Sequence, residues 1–86
     1  MSQRRHDERA LLRTVVRSPD AVFLLRLIPA ELMSDVGHAF AWLALQYSLE
    51  SVGRLDLEAA RDRLQSLAGN DADALLQMLI DFCAEP

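Results

Sequence analysis

Apolar residues recur every three to four positions along five stretches of the chain, the period of a helix that buries one face. No stretch reads as a strand. In residues 7–17, Leu11, Leu12, Val15 and Val16 form one stripe, and Glu8 sits near the positive N-terminal end, where a carboxylate is favoured. Ser18-Pro19-Asp20 interrupts this segment; Ser18 suits an N-cap and Pro19 a first helical position, so a second helix is predicted to start there. Its apolar residues are Ala21, Phe23, Leu24, Leu27 and Ile28, and Pro29 disfavours helical geometry at Ile28, which ends it. Residues 30–33 make a short link.

Residues 34–57, SDVGHAFAWLALQYSLESVGRLDL, are the most informative part of the chain. Ser34 or Asp35 is expected to cap a third helix that runs to about Val52 and is apolar on nearly every side. Such a helix belongs at the centre of a bundle. Val36, Phe40, Leu43 and Tyr47 mark one face; Ala39, Trp42, Leu45 and Leu49 mark another. Ala39, Ala41 and Ala44 are small enough for neighbouring helices to approach closely. Gly53 is placed to end the helix in the left-handed conformation, and Asp56 to cap a fourth helix with a stripe of Leu57, Ala60, Leu64, Leu67 and Ala68. Gly69 closes it. Asn70 or Asp71 is expected to cap a fifth helix, with Leu75, Leu76, Met78, Leu79, Phe82 and Cys83 facing inward.

This pattern predicts an all-α fold: a bundle of five to six short helices around a central apolar helix at residues 39–49, one domain over residues 1–86, with residues 1–6 flexible. Trp42 and Leu45 resemble a tetratricopeptide signature, but one such unit could not stack and the other spacings fail. Apolar residues make up 51% of the chain, too many for a disordered protein of this size, and aromatics only 6%, so aliphatic side chains must build the core. A lone cysteine, Cys83, cannot form an internal disulfide and points to a reducing, cytoplasmic setting. The charged start MSQRRHDERA does not read as a signal peptide, and no apolar run approaches the ~20 residues of a membrane span.

Net charge is −4, which argues against phosphate-driven nucleic-acid binding. The charge is uneven. Residues 1–26 carry six Arg against Asp7, Glu8 and Asp20, a net of +3; residues 27–86 carry three Arg against ten acids, a net of −7. All nine basic residues are Arg, and a GC-rich genome is a better account of that than interface chemistry.

No catalytic or metal-binding set emerges. His6, His38 and Cys83 are far apart in sequence and never at zinc spacing. His38 is expected to hydrogen-bond a turn rather than act as a ligand or proton shuttle, and Cys83 to be a small buried hydrophobe. Ser34, Ser48, Ser51 and Ser66 read as capping or helical serines, and single glycines build no phosphate loop. The expectation is a protein without enzymatic activity, cofactor or metal. Two charge stripes remain: Arg5, Arg9, Arg13 and Arg17 down the first helix, and Asp73, Gln77, Asp81 and Glu85 down the fifth. They read either as solvated faces or as complementary docking surfaces that orient a partner.

The order of these features resembles the helical head shared by the N-terminal domain of DnaB-type replicative helicases and the helicase-binding domain of DnaG-type primases. An acidic residue with a short apolar helix and a Pro-centred break is matched by Glu8-Arg9-Ala10-Leu11-Leu12 and Ser18-Pro19-Asp20. A His followed by an aliphatic–aromatic pair is matched by His38, Ala41 and Trp42. A Gly-x-(Ile/Leu)-Asp turn is matched by Gly53-Arg54-Leu55-Asp56, with Leu64 eight residues on, and the closing helix by residues 75–79. Arg13 stands where the helicases usually carry Gly, which leans toward the primase form, and Ala41 replaces a larger aliphatic. The resemblance covers about residues 8–84. Both families continue into a helical hairpin beyond that point, so the expectation is one domain of a larger protein or a small free-standing relative. It implies a non-catalytic interaction domain of the replication machinery, docking helicase with primase or a loader. On that reading Arg9, Arg13, Arg17, Asp73 and Asp81 are the expected partner contacts, with homo-oligomerisation open and no direct role for nucleic acid or membrane. The alternative is a small cytosolic adaptor that dimerises or binds a partner helix.

Overall fold

The computed structural model describes residues 2–85, with side chains from residue 6 onward. Five α-helices run in the order α1 (Ser2–Arg17), α2 (Leu24–Leu27), α3 (Val36–Val52), α4 (Leu57–Ala68) and α5 (Ala72–Ala84), and 3₁₀ turns occupy Pro19–Ala21, Ala30–Leu32 and Gly69–Asp71. No strand is present among the described residues, and the fold is all-α. α3 packs most extensively on α4, α4 on α5, and α5 on α1, while α1 and α2 also touch α3. The radius of gyration is 11.6 Å, against about 12 Å for a compact domain of this length.

Local chemistry explains most helix ends. Asp35 accepts the His38 amide at 3.1 Å and Asp56 accepts the Glu58 amide at 2.9 Å, so both cap as expected. Ile28 is extended before Pro29. Gly53 adopts φ 84° and closes α3. Gly53→Ala places a side chain in the left-handed region, at a cost of about 1–2 kcal/mol that unfolded-state entropy partly offsets. Thermal denaturation should show the midpoint falling by about 4–8 °C for a loss of ~1 kcal/mol.

Several expectations are corrected. α1 begins at Ser2 rather than Asp7, so residues 2–6 extend the helix; Gln3, Arg4 and Arg5 are good helix formers and no Gly or Pro interrupts them. Met1 lies outside the described residues. The second helix is broken into a 3₁₀ turn and the single turn of α2, and Ser18 makes no side-chain cap. Nine residues between two prolines are too few to nucleate a free-standing helix. Its buried anchor is Leu25, while Phe23 and Leu27 face solvent. Asp71 does not cap α5, because the 3₁₀ turn from Gly69 runs straight into it. Gly69 has positive φ but lies outside the left-handed helical region.

The core centres on Trp42 and Leu45 of α3. Around them lie Leu12 and Val15 of α1, Leu25 of α2, Ala60 and Leu64 of α4, and Leu79 and Phe82 of α5. α3 is central without being covered on all sides: Val36, Tyr47 and Val52 are exposed. A chain this small has too few elements to wrap a helix of that length. Cys83 is exposed, not buried. Phe82 and Cys83 are adjacent at the edge of one stripe, and the larger ring takes the inward position.

Candidate functional site

The main concentration of buried polar groups lies where α1 crosses the start of α3. Glu8 is placed there because it stands four residues before Leu12 and seven before Val15, at the head of the stripe that α1 buries. His38 stands likewise at the head of the α3 stripe that continues through Ala41, Trp42 and Leu45. The two side chains are 6% and 4% exposed. Glu8 Oε2 accepts the Ser34 amide at 2.6 Å and the Ser34 hydroxyl at 2.8 Å. Glu8 Oε1 accepts the Asp35 amide at 3.3 Å and faces His38 Nδ1 at 2.9 Å.

These partners determine the charge state. Burial alone would raise the Glu8 carboxyl, but the Ser34 amide, the His38 ring, the Ser34 hydroxyl and the Asp35 amide together outweigh it and hold the group at about 2, below its ordinary 4.5. An ionised carboxylate only accepts hydrogen bonds, so His38 donates from Nδ1. Glu8 therefore serves as a cap supplied across the bundle: it satisfies amides at the entry to α3 that the helix itself leaves unpartnered, at the end where negative charge is favoured.

The same geometry bears on chemistry. Ser34 donates to Glu8 and not to an imidazole nitrogen, so the three residues do not form a nucleophile–base relay, in which the imidazole must take the hydroxyl proton. Among the described residues no group of three or more His, Cys, Asp or Glu side chains is arranged to hold a metal ion. Ser48, also buried, bonds to the Arg54 carbonyl at 2.9 Å and accepts the Asp56 amide at 2.6 Å, which ties α3 to the entry of α4.

The expected partner residues fall into two groups. Arg9, Arg13 and Arg17 lie along α5. The Arg9 and Arg13 guanidinium carbons sit 5.2 and 5.1 Å from the Phe82 ring centroid, and Arg9 Nη1 is 3.5 Å from Met78 Sδ. Arg13 Nε lies 2.7 Å from Glu85 Oε2, although its N–H does not point along that line, and Arg17 Nη1 is 3.5 Å from the same oxygen. The basic stripe and the end of the acidic stripe thus meet each other across the α1–α5 seam. These ion pairs are partly solvated and add little stability. Asp73 and Asp81 are exposed on α5, and Gln77 Nε2 donates to Asp81 at 2.9 Å.

No protein-family model, curated protein or solved structure matches the chain.

The surface also carries an apolar segment. Within residues 23–36, Phe23 is 56% exposed, Leu27 68%, Leu32 57% and Val36 66%. No helix among the described residues is long and apolar enough to cross a membrane. Glu8 was read from sequence as a helix-end charge. Its position on the apolar stripe was the signal that it is buried and needs donors.

Proposed function

We propose that this domain is a non-catalytic protein-interaction module of the bacterial replication machinery, which docks a replicative helicase with primase or a loader. The observation that carries the interaction reading is the exposed apolar segment of Phe23, Leu27, Leu32 and Val36. Four large apolar side chains left exposed within fourteen residues are more than the single scattered exposures of an ordinary surface, and such a concentration suits a contact with another macromolecule. The polar groups with chemical capacity point the same way, since Glu8, Ser34, His38 and Ser48 are engaged in holding helices together.

The replication assignment rests on the resemblance, and the residues that carry it have framework roles. Glu8 meets His38, Trp42 fills the core, Gly53 turns the chain and Asp56 caps α4. They support a shared scaffold; the partner contacts come from other positions. A cytoplasmic setting belongs to the same proposal.

Calorimetry of the domain with a bacterial replicative helicase and with a primase tests it. Saturable binding is expected, lost in Leu27→Asp with helicity unchanged, since Leu27 is exposed and its replacement leaves the core intact. No heat with either protein at tens of micromolar, about the weak end of specific association, would sink the replication reading. The same apolar segment also suits an adaptor that dimerises; sedimentation equilibrium showing a dimer that Leu27→Asp dissociates would favour that role instead.

A further inference from the structure

The exposed apolar side chains around α2 stand on a segment too short to hold its own shape. α2 is four residues long, and Leu25 is its one fully buried side chain. Residues two apart on a helix point roughly 200° apart, so burying Leu25 turns Phe23 and Leu27 outward together. A free-standing helix of this length is not stable in water. The main chain also lacks a bond that would hold the end of the segment. In a continuing helix the Leu25 carbonyl would accept the amide of residue 29, but that residue is Pro29, which has no N–H.

α3 supplies the missing donor. Gln46 Nε2 donates to the Leu25 carbonyl at 2.8 Å and lies 3.4 Å from the Ile28 carbonyl, to which Trp42 Nε1 donates at 2.7 Å. Carbonyl oxygens only accept, so the NH₂ end of the Gln46 amide must face them. Gln46 follows Trp42 by one helical turn, which places both donors on one flank of α3. Trp42 fills the core as well, whereas Gln46 is half-buried at its edge. We infer that Gln46 is the positioning residue of the docking face. In place of the amide that Pro29 lacks, it fastens α2 to α3, so that Phe23 and Leu27 are held in one arrangement before a partner arrives. Partner contacts fall on Phe23 and Leu27, and Gln46 acts on them through α2. A preformed face avoids the ordering cost that a loose segment meets on binding. The inference rests on the interaction reading above and adds how that surface is kept ready.

The test begins without a partner. Gln46→Met keeps the length and helix propensity of the side chain and removes the donor; Gln46→Glu keeps its shape but, ionised at pH 7, only accepts. Circular dichroism should show both variants folded. Native-state hydrogen exchange then reads α2 through the Leu25, Arg26 and Ile28 amides, which bond to the Val22, Phe23 and Leu24 carbonyls. These should exchange about five- to tenfold faster in Gln46→Met, the worth of one ordinary hydrogen bond, and faster still in Gln46→Glu. In Gln46→Met their exchange should hardly respond to low urea, because loosening α2 alone exposes little surface. Unchanged α2 exchange would overturn the inference, since packing alone would then hold the segment. Exchange that climbs with urea as steeply as that of α3 would also overturn it, since α2 would come away only when the whole bundle unfolds. A helicase or primase that docks on this face should bind Gln46→Met more weakly, by the ordered fraction of α2 that is lost. Equal binding to a variant whose α2 is detached would end the positioning role and leave the proposed function standing. Loosened α2 in Gln46→Met, with no helicase or primase binding to the parent, would do the reverse.

Discussion

Trp42→Ala is expected to lower the stability of the domain by about 3–5 kcal/mol. Trp42 is 0% exposed, and its indole N–H donates to the Ile28 carbonyl at 2.7 Å. Truncating a buried aromatic to Ala costs about 3–5 kcal/mol, because the cavity collapses only in part. A domain of this length has a total stability of roughly 4–13 kcal/mol, so the loss takes a large share of it. Trp42→Phe separates packing from hydrogen bonding. It keeps most of the ring and removes the donor, and Gln46 Nε2, at 3.4 Å from the same carbonyl, remains nearby. It should cost about 1–2 kcal/mol. Urea unfolding followed by circular dichroism measures both. A Trp42→Ala domain with near-parental stability would mean that the core is not built around α3.

Where the fold was legible, single residues imposed local geometry. Asp35, Asp56, Gly53 and Pro29 each act on a neighbour within a few positions, so their effect can be read without knowing what packs against them. The second helix was not legible for the same reason. Ser18 and Pro19 make a valid start signal, but whether a helix propagates from it depends on burial, and only Leu25 and Ala21 are fully buried, with Val22, Leu24 and Ile28 half-covered. The choice between Phe82 and Cys83 as the inward residue likewise depends on what packs against that end of α5.

The candidate site was less legible, because its contacts join distant parts of the chain. Glu8 meets Ser34 and His38 across 26 and 30 residues, and Arg13 meets Glu85 across the α1–α5 seam. The arginine spacing correctly marks one flank of α1. Periodicity alone does not say whether such a flank faces water, a partner or another helix of the same bundle. The carboxylate on the buried stripe was the one cue within reach, since a charge at a core position requires donors to meet it.

That carboxylate leads to the second large expectation. Glu8→Ala should destabilise the domain by about 3–5 kcal/mol, because it leaves the buried His38 ring and the Ser34 and Asp35 amides without their acceptor. Glu8→Gln keeps the shape but turns an NH₂ donor toward other donors, so it should recover only part of the loss. The parent domain should also show an acid limb with a defined sign. The carboxyl is held at about 2 when folded, against 4.5 ordinarily, so its contribution is fully present above pH 4.5 and disappears as the pH falls toward 2. In that window folded Glu8 stays ionised while the unfolded chain takes up a proton, and stability should fall by up to about 1.4 kcal/mol per pH unit from this group alone. Chemical denaturation at pH 6 and pH 3 measures it, and subtracting the Glu8→Gln profile isolates this carboxylate from the other acids. If Glu8→Gln matched the parent at pH 6 and had the same acid limb, the junction of α1 and α3 would rest on apolar packing alone. A shallower acid limb in the variant, with lower stability at pH 6, would identify the Glu8 carboxylate as the group that fastens α1 to the entry of α3.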